Sequence, residues 1–338
     1  MLKLFNNFNL RQYNSFGIEV TTKYFVEFTT EKDLIDYLSK NLTLVNENSL
    51  LIIGGGTNIL FTKNYNGILF HSLIDKLEVL KEEENYILLK VGGGILWEHF
   101  VEYAVMNDYQ GIENLSLIPG NVGSSAVQNI GAYGVEAKDC IESVECIDLL
   151  KNTKHIYSNK ECQFAYRDSI FKKKTNLLIT FVIYKLRKNT SKFNLEYGEL
   201  KKHFLNTPTP CLKDIREAII KIREGKLPNP RKIGNAGSFF KNPVVTAEKY
   251  DSLKQKYPEI VAFPFLHTKM KLAAGWLIEA CGWKGKVIGN VGVYEKQALV
   301  IFNKGQATGK EILDFSQQII DSVFEKFEIR LEPEVIIK

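Results

Sequence analysis

The chain has 338 residues, 45% hydrophobic and 25% charged, which is ordinary for a globular protein and long enough for two or three cores. Its 44 Lys and Arg against 39 Asp and Glu leave a net charge of +5 with no basic tail or block, which argues against nucleic acid and weakly for a small anionic substrate. Five cysteines (Cys140, Cys146, Cys162, Cys211, Cys281) without a C-x-x-C pair speak against a disulfide framework or structural zinc. The amino terminus lacks a signal-peptide core and no apolar run would span a bilayer, so the expectation is a cytoplasmic protein with no membrane partner.

In chain order, residues 24–28 predict a short strand, and Thr30 is placed to cap a helix carrying Leu34 and Leu38. Leu51, Ile52 and Ile53 predict a buried strand running into Gly54, Gly55, Gly56, Thr57 and Asn58. Glycines after a buried strand let bare backbone amides converge on a phosphate. Two nucleotide signatures are missing here. A P-loop would end in Gly-Lys-Ser/Thr, and a Rossmann fingerprint from Gly54 would need glycine where Ile59 stands. Alone, this turn fits a simple strand-to-turn role equally well. Residues 88–91 predict a further strand, followed by Gly92, Gly93, Gly94 and a helix over 96–106 with Trp97, Phe100, Val101 and Ala104 on one stripe.

Residues 114–134 keep neither a helical nor a strand period. They include Pro119, Gly120, Gly123, Ser124, Ser125, Asn129, Gly131, Ala132, Tyr133 and Gly134, with apolar residues between. A loop without a core of its own is expected to wrap a ligand, with glycine amides and serine hydroxyls for a diphosphate and apolar gaps for a flat ring. Strands over 143–150 and 177–186 bracket Arg167, set among Phe164, Tyr166 and Phe171. A guanidinium fixed by packing suits a carboxylate or phosphate, although in isolation a plain Arg167–Asp168 surface pair is the stronger reading.

Residues 187–192 look like a linker, with a domain boundary expected at 188–212, and Tyr197 follows in a short loop. An amphipathic helix over 212–223 carries Ile215, Ala218, Ile219 and Ile222, and Pro228 and Pro230 close it. Then comes Gly234-Asn235-Ala236-Gly237-Ser238-Phe239-Phe240-Lys241-Asn242-Pro243, where one serine stands between flexible and aromatic residues. Helices over 246–256 and 271–281, a strand over 298–302, a helix capped by Thr308 and Glu311, and a terminal strand over 331–337 complete the reading. The histidines (His71, His99, His155, His203, His267) show no metal spacing. Ser238 lacks the G-x-S-x-G elbow of a hydrolase, so it reads as an acid or hydrogen-bond donor rather than a nucleophile.

Four segments in order, I-P-G-N-V-G-S-S with Q-N-I-G-A-Y-G, Y-R-D-S-I-F, G-N-A-G-S-F-F-K-N-P and L-E-P-E-V, resemble the UDP-N-acetylenolpyruvoylglucosamine reductase (UDP-N-acetylmuramate dehydrogenase) family over essentially the whole chain. The resemblance implies an α+β fold: a two-part FAD-binding domain of the vanillyl-alcohol-oxidase/PCMH type over 1–70 and 71–200, then a smaller α+β substrate-binding domain over 201–338. It implies bound FAD, NADPH as reductant, and a UDP-sugar enolpyruvyl ether as substrate in peptidoglycan precursor synthesis, handled by a monomer. The flavin would be held by Gly54, Gly56, Thr57 and Asn58 together with the ten residues from Pro119 to Gly134 named above. Ser238 would donate the proton, while Arg167 and Glu334 polarise the enolpyruvyl carboxylate and stabilise the enolic intermediate. Tyr197, Lys226, Asn242 and Gln297 match substrate contacts, with Tyr197 marking the subtype whose tyrosine loop closes on substrate. A fixed arginine suits charge that grows in the transition state. A serine becomes a useful acid beside a cation, for which Lys226 and Lys241 are both candidates. Two other readings are an oxidase on the same flavin fold and a non-catalytic flavin- or nucleotide-binding regulator.

Overall fold

The computed structural model describes residues 1–189, 192–205, 210–265 and 268–338, so Thr190 and Ser191 of the expected linker, and His267, lie outside the described residues. Contacts divide the chain into two units. The first comprises Met1–Phe8, Thr21–Gly55 and Asn66–Gly225, the second Asn9–Val20, Gly56–Tyr65 and Lys226–Lys338.

The first unit holds two sheets. One has four strands in the order Leu2–Asn9, Thr21–Phe28, Tyr65–Ser72, Ser49–Ile53, the last pair parallel. Helix α1 (Glu31–Asn46), whose cap Thr30 Oγ1 accepts the Asp33 N–H at 3.1 Å, buries Leu34 and Leu38 with Val26, Phe28, Ile68 and Phe70 of that sheet. The other sheet is antiparallel, in the order Thr153–Ser158, Ile141–Asp148, Leu177–Arg187, Tyr86–Gly92, Leu77–Glu82. Its central strand Leu177–Arg187 is buried on both faces, which explains its nearly unbroken apolar run. Leu178 and Phe181 join the core under α1, while Ile179, Val182 and Tyr184 pack with Trp97, Phe100 and Val101 of α2 (Trp97–Met106).

The glycine- and serine-rich segment expected to be loop throughout contains a helix, α3 (Val122–Gln128). Its Val122, Gly123, Ser125, Ala126 and Gln128 are buried. Small residues let this helix lie directly on the sheet, and the same residues erase the apolar stripe that would announce it. Helix α4 (Ile170–Lys173) is a single turn behind the Arg167 segment. Helices α5 (Gly198–His203) and α6 (Leu212–Lys226) share a small core of Leu200, Phe204, Ile215, Ala218 and Ile219, against which Tyr133 and Phe193 pack. That apolar face keeps α6 with the first unit, so the division falls between Gly225 and Lys226 and not at the composition change over 188–212.

The second unit contains an antiparallel sheet in the order Gly234–Ser238, Val300–Asn303, Val291–Val293, Val287–Ile288. A three-stranded sheet, Val244–Thr246, Lys269–Leu272, Ala262–Phe265, carries α7 (Ala247–Lys256). Helix α8 (Ala274–Ala280) starts later than the expected 271 because Lys269–Leu272 pairs as a strand. Helix α9 (Gly309–Phe327) has the capping box of Thr308 and Glu311 and buries Ile312, Ile319, Val323 and Phe327. The terminal strand is shorter than expected. Pro333, which has no N–H to give a ladder, makes only an isolated bridge to Phe240, and Ile336–Ile337 then pairs parallel with Ile59–Leu60. Among the described residues no helix is long and apolar enough to cross a membrane.

Candidate active site

Ser238 ends its strand at a bulge. Asn235 pairs with Phe302 and Ser238 with Val300, so one extra residue is accommodated on the serine side. Gly237 absorbs it with a left-handed φ of +68°, and the buried Asn235 side chain fixes the turn by accepting the Gly237 N–H at 2.9 Å. Gly234 is glycine for a different reason: a Cβ there would lie 2.5 Å from the Phe16 carbonyl oxygen. Beyond the bulge, Phe239 and Phe240 are buried and anchor the strand. Their neighbour is the segment carrying Glu334: the Glu334 N–H donates to Phe239 O at 2.8 Å and the Lys241 N–H to Glu332 O at 2.9 Å. Serine and glutamate, 96 positions apart, thus stand on adjacent antiparallel segments, both half-buried. Asn58 joins them, its side-chain amide donating to Glu334 O at 3.2 Å and its carbonyl accepting the Ile336 N–H at 3.0 Å.

The glycines form a cradle in which backbones approach more closely than any Cβ allows. A Cβ on Gly54 would sit 2.2 Å from Ser124 Oγ, and one on Gly94 2.6 Å from the Ile74 nitrogen. The Val122 and Gly123 amides donate to Ile95 and Gly93 carbonyls at 2.9 and 3.0 Å, while the Asn121 side chain donates to Gly94 O at 2.6 Å. Asn121 Oδ1 is buried and finds no donor among the described residues, as expected where a ligand completes the hydrogen bonding. In the second unit Gly56 has φ +62°, and a Cβ there would fall 1.9 Å from Tyr13 O. Within the first unit, the close-packed glycine backbone and the orphaned Asn121 acceptor fit a bound dinucleotide. Gly54 and Gly120 lie on loops of the first unit with Pro119 exposed beside Gly120, Gly123 and Ser124 lie in the first turn of α3, and Gly56, Thr57 and Asn58 lie on the turn that opens the second unit's segment 56–65. Ser125 is buried, and its hydroxyl is used internally, donating to Val122 O at 2.7 Å and bonded to Tyr184 Oη at 2.7 Å.

Arg167 sits at the tip of a tight hairpin closed by mutual Ala165 and Asp168 backbone bonds of 3.0 and 3.1 Å, and has φ +54°. Its Nη2 donates to Gly131 O at 2.5 Å, its guanidinium lies 5.3 Å from the Tyr166 ring centroid, and Lys172 Nζ donates to its carbonyl at 2.7 Å. Backbone anchoring, as much as the aromatics, fixes this side chain. Leu117 (+59°), Asn129 (+43°) and Tyr133 (+48°) are also left-handed, and such conformations concentrate where surroundings hold a site in place.

Tyr133 is held from three sides. Asn114 Nδ2 donates to its carbonyl at 2.9 Å, Tyr197 meets its ring edge-on at 6.2 Å, and the buried Arg223 guanidinium of α6 lies near its hydroxyl. Burial pushes the Tyr133 phenol up and the Arg223 guanidinium down from their usual ranges. Glu98 of α2 accepts both the Leu117 N–H and the Arg216 guanidinium. Glu98, Asn114, Arg216 and Arg223 were not visible as site residues in sequence, because nothing local marks a residue that supports another far along the chain. Tyr197 precedes α5 and is exposed, Ala132 and Gly134 form the turn around Tyr133, and Lys226 is the last residue of α6. Asn242 and Gln297 meet at the start of α8: Asn242 Oδ1 accepts the Ala274 N–H at 3.0 Å, and Gln297 Oε1 lies 3.3 Å from where a Gly275 Cβ would stand. Lys241 Nζ is 3.7 Å from the Glu332 carboxylate. No group of three His, Cys, Asp or Glu able to hold a metal occurs among the described residues.

Known proteins resemble this chain over nearly its whole length. Residues 229–338 match the family profile described as UDP-N-acetylenolpyruvoylglucosamine reductase, C-terminal domain, and residues 22–152 match an FAD binding domain. The UDP-N-acetylenolpyruvoylglucosamine reductase of Porphyromonas gingivalis is 47% identical over 332 residues, 97% of each chain. That of Bacteroides fragilis is 43% identical over 97% of this chain and 98% of its own. The crystal structure of the enzyme from Thermus caldophilus shares the fold, with TM-score 0.69 at 21% identity over 100% of this chain and 98% of that one. The chain is an α+β, FAD-binding oxidoreductase and belongs to the UDP-N-acetylenolpyruvoylglucosamine reductase family.

Proposed function

We propose that the protein reduces the enolpyruvyl ether of UDP-N-acetylglucosamine enolpyruvate to UDP-N-acetylmuramate, with NADPH as electron source, as a cytoplasmic step of peptidoglycan precursor synthesis. FAD, which the Gly54 and Gly120 loops and the first turn of α3 would hold, would supply a hydride to the terminal carbon of the enolpyruvyl double bond. The protein's own residues manage the charge and the proton. Arg167, fixed at a hairpin tip, draws the developing negative charge into the enolpyruvyl carboxylate, an interaction that strengthens as the enolate forms. Glu334 acts on the enolic intermediate, and the Ser238 hydroxyl delivers the proton to the carbon next to the carboxylate. Lys226, Asn242, Gln297 and Tyr197 contact the substrate.

The observation that carries this reading is the Gly237 bulge, which turns Ser238 at its strand end while Glu334 is clamped to the adjoining residue. The test is colour. Purified protein is expected to be yellow, to bleach anaerobically with NADPH, and to regain colour on adding the enolpyruvyl sugar. Rapid recolouring by air alone would identify an oxidase, and colourless protein would indicate a different ligand.

A further inference from the structure

The side chain of Asn129, at first sight one more polar group of the cofactor loop, is turned away from ligand work altogether. Asn129 ends α3 in the left-handed conformation (φ 43°, ψ 61°) and is fully buried. Its Nδ2 donates to Ala165 O at 2.9 Å and to Glu136 Oε2 at 3.2 Å, and its Oδ1 accepts the Lys138 N–H at 3.0 Å. Ala165 is the residue from which the Arg167 hairpin springs. A second clasp lies alongside, where Ser169 Oγ donates to Val127 O at 2.8 Å. The guanidinium then returns to the same loop, to Gly131 O, two residues beyond Asn129.

We propose that Asn129 is a positioning residue for Arg167: it locks the hairpin to the end of α3, so that a strained arginine backbone is held by a neighbour rather than by its own preferences. Asparagine meets two demands together, since it tolerates the left-handed conformation and carries both donor and acceptor. The inference rests on the catalytic reading of Arg167 given above.

The experiment compares the FAD-loaded wild type with Asn129→Gly, which keeps the left-handed turn, Asn129→Asp, which keeps the acceptor for Lys138, and Arg167→Ala. Three quantities are read: FAD content with the rate of flavin reduction by NADPH, single-turnover reoxidation by the enolpyruvyl sugar, and amide exchange of the peptide over residues 165–169 by mass spectrometry. Both Asn129 variants are expected to keep FAD and the NADPH rate within about twofold, to reoxidise at least about tenfold more slowly, and to exchange that peptide faster. Normal reoxidation in the Asn129 variants beside an inactive Arg167→Ala would overturn the proposal alone. Loss of FAD, with both half-reactions falling together, would also overturn it and assign Asn129 to the cofactor. Normal reoxidation by Arg167→Ala would remove the catalytic reading of Arg167, and this inference with it.

Discussion

Gly131 bears on the role proposed for Arg167. A Cβ there would lie 2.9 Å from Arg167 Nη1 and 3.0 Å from Val135 O, so the guanidinium occupies the space a side chain would need. Gly131→Ala is therefore expected to displace Arg167 by a fraction of an ångström and slow flavin reoxidation by substrate on the order of 10²-fold while FAD stays bound, a change that stopped-flow absorbance would resolve. Ser238, Arg167 and Glu334 stand out as candidates because each lies in a distinctive short motif, whereas the contacts around Tyr133 and Leu117 have no local mark. Asn114 and Glu98 bond residues 19 positions away, and an isolated Glu in a helix looks like any solvated charge until its neighbours are known.

The element that presents Ser238 depends on backbone freedom alone. A Cβ on Gly237 would meet nothing within 4 Å, yet its φ of +68° is one that side-chain-bearing residues adopt at a cost. Gly237→Ala should lower stability by about 1 kcal/mol, read as a shift in the urea midpoint, with no steric component. Helix α9 was legible because an apolar stripe and a capping box coincide, and α1 because Thr30 caps it where expected. Helix α3 was hidden by its glycine and serine, and the terminal strand was overread because alternation over 331–337 ignores what Pro333 does to a ladder.

At the scale of the whole molecule, long-range pairing defeats local reading. Ile59–Leu60 pairs with Ile336–Ile337, and residues 9–20 join the second unit although they precede most of the first. Charges add a pH dependence. In the first unit Glu31, Lys154, Glu145 and Lys90 form a chain of ion pairs at 2.7–2.9 Å, with Lys90 lying 4.3 Å from the Phe181 ring centroid. Burial raises the Glu145 carboxyl, but hydrogen bonds from Lys154 and Lys90 outweigh it and hold it below the ordinary 4.5. A depressed folded-state value contributes stability above pH 4.5 that is lost as pH falls through the lower folded value. Glu145→Gln should remove that acid-side loss and, by leaving the nearly buried Lys90 without its carboxylate, cost about 3 kcal/mol at neutral pH. Urea midpoints of the first unit's transition across a pH series would check both effects. Proton delivery by Ser238 is tested by single-turnover kinetics of Ser238→Ala under anaerobic conditions. The variant is expected to be bleached by NADPH at the wild-type rate and to recolour with the enolpyruvyl sugar slower by about 10²–10⁴-fold. Recolouring at the wild-type rate would contradict the role of Ser238.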